Sequence, residues 1–285
     1  MDVRAELSQF LKSRRARLGP KDVGVVDHGR QRRVPGLRRE ELAQLAGVSV
    51  AHYTRLEQGH SENVSAEVLD AVSRTLHLNA DETAYLHRLA HPPKHAQPTP
   101  GPRLRVSLQR LLDSMVSNPV FVLGHYTNIV AWNRAAAVLV DLAAVPNSQR
   151  TWSHQVFLND EYRQMLGAAW QEFAGSHVAY LRVLLARNPH YAELKSHIAV
   201  MREASEEFRR LWNEHGVELW SHRAYVFTHP LVGVLELSGE TMLLPGDEDL
   251  SELELLVAEP GSASEASLDY LISTTDRKAS ADLAY

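Results

Sequence analysis

The stretch from Leu37 to His60, LRREELAQLAGVSVAHYTRLEQGH, constrains the fold of this chain more than any other. Leu37, Leu42, Leu45 and Ala46 recur at the spacing of one helical face, which predicts a helix from Leu37 to Ala46. Gly47 ends that helix and permits a sharp turn. Ser49 is well placed to accept the free N–H groups that open a second helix, Val50 to Gln58, and Gly59 closes it. Ala43 must be small where the two helices cross, and Val48 and Leu56 are expected to plug the core between them. Tyr53 is expected to pack inward beside them. Helices joined only through Gly47-Val48-Ser49 can present the second one to a DNA major groove, which is wide enough to admit it.

The flanking sequence completes a helical domain. Val3 to Leu18 carries Leu7, Phe10, Leu11 and Leu18 at helical spacing and stops at Gly19-Pro20. Two further helices are expected at Ser65 to Leu76 and Asp81 to His91. After that comes HPPKHAQPTPGPR, whose prolines remove backbone donors and block helix continuation. The expected organisation is a helical domain over 1–92, a Pro-rich linker over 93–103, a second domain over 104–275 and a tail over 276–285. The charge divides in the same way. Residues 1–60 hold 12 Lys and Arg against 7 Asp and Glu, whereas the remainder hold 18 against 28, so only the first segment suits a polyanion.

Composition narrows the function classes. Hydrophobic residues make up 44% and charged residues 23% of the 285, the balance of a globular chain with a packed core. The absence of cysteine excludes disulfides, thiolate metal sites and a cysteine nucleophile, and it fits a reducing cytoplasm. The opening MDVRAELSQF carries acids and no apolar core, so no signal peptide is expected, and no apolar run long enough for a membrane span appears. There is no GxSxG, no GxxxxGK[ST] and no GxGxxG after a strand, and no carboxylate pair whose spacing suggests acid-base work. An enzyme is therefore not expected, nor is a cofactor. His87 and His91 stand i,i+4 on an expected helix, but they have neither an HExxH pattern nor an evident third ligand, and no metal site is expected.

The helix pair resembles the lambda-repressor-like helix-turn-helix of the XRE family. RRVPGLRREELAQLAGVS followed by HYTRLEQG is similar to the MmyB-like subgroup of bacterial transcription regulators. PVFVLGHYTNIVAWNRAAAVL, FRRLWNEHGVE, THPLVGVLEL and AEPGSAS resemble that subgroup's ligand-binding domain, which implies an α+β PAS-like fold with an antiparallel sheet behind an all-α helix-turn-helix domain. One departure is His52, where relatives more often carry tyrosine, near the expected DNA face. Carried over residue by residue, the resemblance places Ala51, Thr54 and Arg55 toward base edges, with Val50 and His52 alongside. Arg55 is the strongest candidate, because a guanidinium can bind guanine O6 and N7 in bidentate fashion, whereas Ala51 can touch a thymine methyl. Arg38 and Arg39 open the preceding helix and, with Ser49, are candidates for phosphate contacts. Arg30, Arg32 and Arg33 lie in the loop after the first helix, where a basic segment can follow the backbone or enter a minor groove. Solvated surface charge is the alternative for each of these arginines. The family pattern also implies an ion pair between Arg15 and Glu57.

In the second domain, strands are expected at Val120–Leu123, Asn128–Trp132, Tyr225–Thr228, Gly233–Leu237, Thr241–Leu244 and Leu253–Ala258, with Ser238-Gly239 suiting a hairpin turn. Helices are expected at Arg134–Leu142, behind Asn133, and at Asp160–Ala174, Val178–Ala186 and Ser205–Trp212. A sheet covered by helices on one face commonly leaves an apolar cavity. Phe121, Trp132, Phe157, Trp170, Trp212, Trp220, Tyr225 and Phe227 are candidates to line it, each with plain core packing as the alternative. His229 at the end of THPLVGVLEL reads as a structural polar tip or a ligand anchor.

The reading that follows is a cytoplasmic, sequence-specific DNA-binding regulator. It is expected to act as a homodimer on double-stranded DNA with a palindromic operator, to sense a small apolar or amphipathic ligand such as an acyl chain, and to have no membrane partner. A DNA-tethered small-molecule enzyme and a protein-interaction module in the C-terminal half are the alternatives.

Overall fold

A computed structural model describes residues 2–24, 36–62, 64–92, 104–220, 222–244 and 250–282. The chain divides into two compact units. The first comprises Met1–Ala96, Val178–Lys195 and Arg210–Leu219, and the second Gln97–His177, Ser196–Arg209 and Trp220–Tyr285.

The first unit is built on α1 (Val3–Arg17), α2 (Arg39–Leu45), α3 (Val50–Glu57), α4 (Ala66–Thr75) and α5 (Ala80–Ala90), in agreement with the five helices expected from the sequence. α1 and α5 open on side-chain caps. The Asp2 carboxylate accepts from Arg4 N at 3.0 Å, and Asn79 accepts from Glu82 N at 2.9 Å while the Glu82 side chain accepts from Asn79 N. Leu7, Phe10 and Leu11 of α1 are fully buried against Leu42, Tyr53, Leu56 and Leu69, and each such side chain contributes roughly 1.5–3 kcal/mol by leaving water. Val183, Ala186 and Val217 join the same core.

With them comes a buried charge network. Glu6, 6% exposed, accepts from Tyr85 Oη at 2.9 Å and from the fully buried Arg182, whose guanidinium also donates to Trp212 O and lies 4.2 Å from the Trp212 ring centroid. Arg14 donates to His215 O at 2.6 Å, and its Nε lies 2.9 Å from Glu82. Burial would raise the Glu6 pKa, but His215, Arg182 and Tyr85 outweigh it and hold the carboxyl down at about 2.

The second unit opens with α6 (Val106–Ser114), β1 (Val120–Gly124), β2 (Ile129–Trp132) and α7 (Arg134–Ala137). Next come α8 (Trp152–Leu158), α9 (Asp160–Leu166), α10 (Trp170–Arg187), α11 (Ala192–Ala204) and α12 (Glu206–Asn213), the last three running on into segments of the first unit. The chain then returns as β3 (His222–His229), β4 (Gly233–Leu243), β5 (Leu250–Ala258) and α13 (Ala263–Asp282). The strands form one antiparallel sheet in the order β2-β1-β5-β4-β3. β1 is buried at every position because both its faces are covered. Val120, Val122 and Leu253 pack on Leu108 and Leu112 of α6, while Phe121 meets Trp152 edge-on with centroids 5.0 Å apart. Asn133 ties this region together. Its Oδ1 accepts from Val120 N at 3.0 Å and Ala136 N at 2.9 Å, and its Nδ2 donates to Met115 O at 2.6 Å and Asn118 O at 2.8 Å.

Several sequence expectations need correction. Ser238 and Gly239 do not turn. They pair with Ala224 and Arg223 inside an unbroken β4, and the hairpin lies at Pro230–Val232. Gly239 is needed for space instead, since a Cβ there would stand 2.3 Å from the Tyr225 ring. The helix expected from Asp160 to Ala174 breaks at Gly167, where φ is 51°, and Val178–Ala186 belongs to the continuous α10. α7 ends at Ala137 rather than Leu142. Helices α6, α8, α11 and α13 were not expected, and residues 276–282, assigned to a tail, continue α13. The expected linker 93–103 lies outside the described residues. Among the described residues no helix is long and apolar enough to cross a membrane.

Candidate nucleic-acid interface and ligand cavity

Helix α3 stands with one face out. Ser49 caps it, accepting from His52 N at 3.1 Å, and Gly47 makes the preceding turn with φ at 69°. Tyr53, Leu56 and Glu57 face inward and are fully buried, while Ser49, Val50, Ala51 and Arg55 are exposed and His52 and Thr54 half-buried. All five expected base-contact residues therefore share an accessible surface. Ser49, Ala51, His52 and Arg55 line a shallow cleft of about 360 Å³ completed by His60, Glu62 and Val64. Arg38 is exposed, its N–H held by Glu41 at 2.8 Å. Arg30, Arg32 and Arg33 lie outside the described residues.

The inner face of α3 is anchored by Glu57. Its carboxylate accepts from Arg15 Nε at 2.6 Å, from Arg39 Nε and from Tyr53 Oη at 3.2 Å. Burial works to raise its pKa, and the two guanidinium groups overcome that and keep the carboxyl below its ordinary value. The Arg15–Glu57 pair is the one the sequence implied. The Arg39 bond was not foreseen, and it ties a candidate phosphate contact to α3 while leaving the Arg39 side chain 41% exposed.

In the second unit, Phe121, Tyr225 and Phe227 come together around a small enclosed cavity of about 10 Å³, along with Trp152, Tyr162, Phe173, Leu139, Val140, Leu256 and the carboxylate of Glu254. A larger cleft of about 580 Å³ shares Leu139, Val140 and Tyr162 with it and continues past Met165, Thr228 and His229. The other aromatic candidates are not among the lining residues. Phe157 and Trp170 pack edge-on at 6.0 Å, Trp220 lies 5.9 Å from Phe173, Trp132 sits under Arg150, and Trp212 lies in the first unit under Arg182. Both ring nitrogens of His229 are engaged, one 3.2 Å from Val138 O and the other accepting from Leu231 N, so this residue is a satisfied polar tip at the edge of the cleft. Trp152, Tyr162, Phe173 and Glu254 were missed, because no local pattern marks which residues of distant elements will meet.

Comparison with protein families decides what these two structures are. A model described as the MmyB-like transcription regulator ligand binding domain matches residues 104–271, well over half of the chain. The chain belongs to this MmyB-like family. A helix-turn-helix domain model matches residues 6–86, so the exposed α3 lies within a helix-turn-helix domain. The protein is thus a DNA-binding transcription regulator with a ligand-binding C-terminal domain. No curated protein matches the chain.

The MmyB-like domain also holds a histidine–serine cluster that sequence reading missed. Ser153 Oγ lies 2.8 Å from His177 Nε2 and 2.8 Å from His197 Nε2. Burial pushes His177 down to about 3 and His197 to about 4, so both are neutral near pH 7. Ser153 and His177 are fully buried, which keeps substrate from the hydroxyl and makes this a packing network. His87 pairs with Asp70 at 2.9 Å and His91 lies 3.1 Å from Val64 O, so each imidazole is engaged within its own helical domain. Among the described residues no group of three or more His, Asp or Glu is arranged to hold a metal ion.

Proposed function

We propose that the chain is a ligand-responsive, sequence-specific regulator that works as a cytoplasmic homodimer on a palindromic operator, its two α3 helices entering major grooves about 34 Å apart. The reading rests on one observation above others: Val50, Ala51, His52, Thr54 and Arg55 form the accessible face of a helix whose opposite face is locked by Tyr53, Leu56 and Glu57. In this reading Arg55 reads a guanine, Ala51 approaches a thymine methyl, and Arg38, Arg39, Ser49 and the loop residues Arg32 and Arg33 hold phosphates. The division into a DNA-binding domain over 1–92, a linker over 93–103 and a ligand domain over 104–275 belongs to the same proposal.

The sheet order β2-β1-β5-β4-β3, with α7 to α12 inserted between β2 and β3, supports a PAS-like reading of the C-terminal domain. The 580 Å³ cleft falls within the size range of small-molecule pockets and suits an amphipathic ligand. Ligand shifts the population between DNA-competent and incompetent states, which requires different affinities for the two. Native mass spectrometry of the purified full-length protein, combined with selection of bound sequences from random duplex DNA, tests the proposal. A dimer carrying a copurified small molecule and selecting a palindrome supports it. A ligand-free monomer without sequence preference overturns it.

A further inference from the structure

Two histidines stand beside Arg55 on the open side of α3. His52 precedes Arg55 by three residues, the spacing that makes helical side chains neighbours, and both line the cleft of about 360 Å³. His60 reaches the same cleft from the loop after the helix, where its backbone N–H donates to Arg55 O at 3.0 Å. That loop is pinned against the start of α1, since Gly59 has a φ of 88° and a Cβ there would run into the Arg4 backbone. His60 is exposed and His52 half-buried, so both rings are open to a bound molecule.

Charge here favours an anion. Among the described residues lining the cleft Glu62 is the one acid, and Arg4 of α1 pairs with it at the surface. Arg55 contributes a positive charge, and Ser49, whose hydroxyl caps α3, lies at the same cleft. A neutral imidazole offers one donor and one acceptor, whereas the protonated ring offers two donors and a charge. Histidine makes that change between pH 5 and 8, a range over which arginine keeps its charge. The cleft can therefore gain two positive charges on mild acidification.

We propose that His52 and His60 together seat a DNA backbone phosphate beside the base read by Arg55, and that the regulator takes up protons at these two rings when it binds DNA. The proposal rests on the DNA-contact reading of α3 above and moves His52 from the base edges to the backbone. The sign follows from the charges. A phosphate beside an imidazole favours the charged ring, so the complex holds more protons than the free protein and DNA affinity rises as the pH falls.

The test uses the full-length protein and an operator selected from random duplex DNA, with affinity measured from pH 8 to pH 6 at fixed ionic strength. Binding is expected to tighten at least about tenfold over that interval, and the slope of log affinity against log salt to steepen by about one to two. Combining His52→Gln with His60→Gln should hold the change below about twofold, each single variant falling in between. His60→Lys, charged throughout the interval, should bind more tightly than the unaltered chain at pH 8 and respond less to acid. A flat pH profile of the unaltered chain overturns the proposal whether or not the variants fold, as does a response that survives the double substitution. A response present on the operator and absent from its point variants overturns the phosphate assignment in favour of a base contact. Failure to select any operator at either pH overturns the contact reading of α3 and the proposal with it, whereas pH-independent binding of a selected operator overturns the proposal alone.

Discussion

Arg15 of α1 and Glu57 of α3 meet at 2.6 Å, with the carboxylate fully buried and the arginine side chain 14% exposed, so α3 is fastened to the first helix by a desolvated ion pair. Arg39 and Tyr53 complete the attachment. The inward face of α3 is thereby fixed in rotation, which decides which residues face outward. Replacing Glu57 by alanine leaves two arginines without their acceptor. Glu57→Ala is expected to destabilise the first unit by about 3 kcal/mol, and Glu57→Gln by less, in urea unfolding. An unchanged midpoint for Glu57→Ala would show that the network is dispensable.

The proposed roles of Arg55 and Arg38 separate base reading from phosphate binding. Arg55→Ala is expected to remove about 1–3 kcal/mol of discrimination at one base pair and leave other positions alone. Arg38→Ala is expected to weaken all sequences by a similar factor and lower the slope of log affinity against log salt by about one. Titrations on an operator and its point variants at several salt concentrations measure both. If the two variants behave alike, the contact assignment is wrong. Arg39 is a poorer probe because its substitution also strips Glu57.

Glu6 makes the first unit acid-sensitive in a defined window. Its folded pKa of about 2 lies below the ordinary 4.5, so its contribution is complete above pH 4.5 and is lost as the pH falls toward 2. A shift of this size corresponds to about 3 kcal/mol. The stability gap between wild type and Glu6→Gln should narrow steadily over that interval when melting is followed against pH. A constant gap would mean that Glu6 has the same pKa in the folded and unfolded states.

Glu254 predicts the opposite pH response. Burial, reinforced by Glu252, pushes its pKa up to about 7, against the hydrogen bond from Tyr225. A raised carboxyl favours the folded state while protonated and loses that benefit as the pH rises through 7. Glu254→Gln should therefore melt at or near the wild-type temperature at pH 5 and several degrees higher at pH 8.5. Wild type remaining the more stable form at pH 8.5 would show that the carboxylate is well accommodated.

The helical domain was legible in the sequence because its signals are local. Ser49, Asn79 and Gly47 satisfy or release backbone groups within a few residues of themselves, and Leu7, Phe10 and Leu11 declare a helical face by spacing alone. The same reasoning placed Arg55 outward and Tyr53 inward, since period 3.6 assigns faces without knowledge of neighbours. It failed where the deciding partner was distant. Ser238-Gly239 has turn-like chemistry, but the Tyr225 ring on the neighbouring strand requires a residue without a side chain in the middle of β4. Arg39 looked like a free phosphate contact until folding brought Glu57 to it.

The cavity is the clearest division. Periodicity could nominate Phe121, Tyr225 and Phe227, but their convergence with Trp152, Tyr162, Phe173 and Glu254 depends on β1, α8, α9, α10, β3 and β5 packing together. The order of amino acids determined the five helices of the first unit, the exposed face of α3 and the family. Tertiary structure alone decided which aromatic rings share a space and that a carboxylate stands among them, because contacts between residues far apart in the chain leave no periodic trace along it.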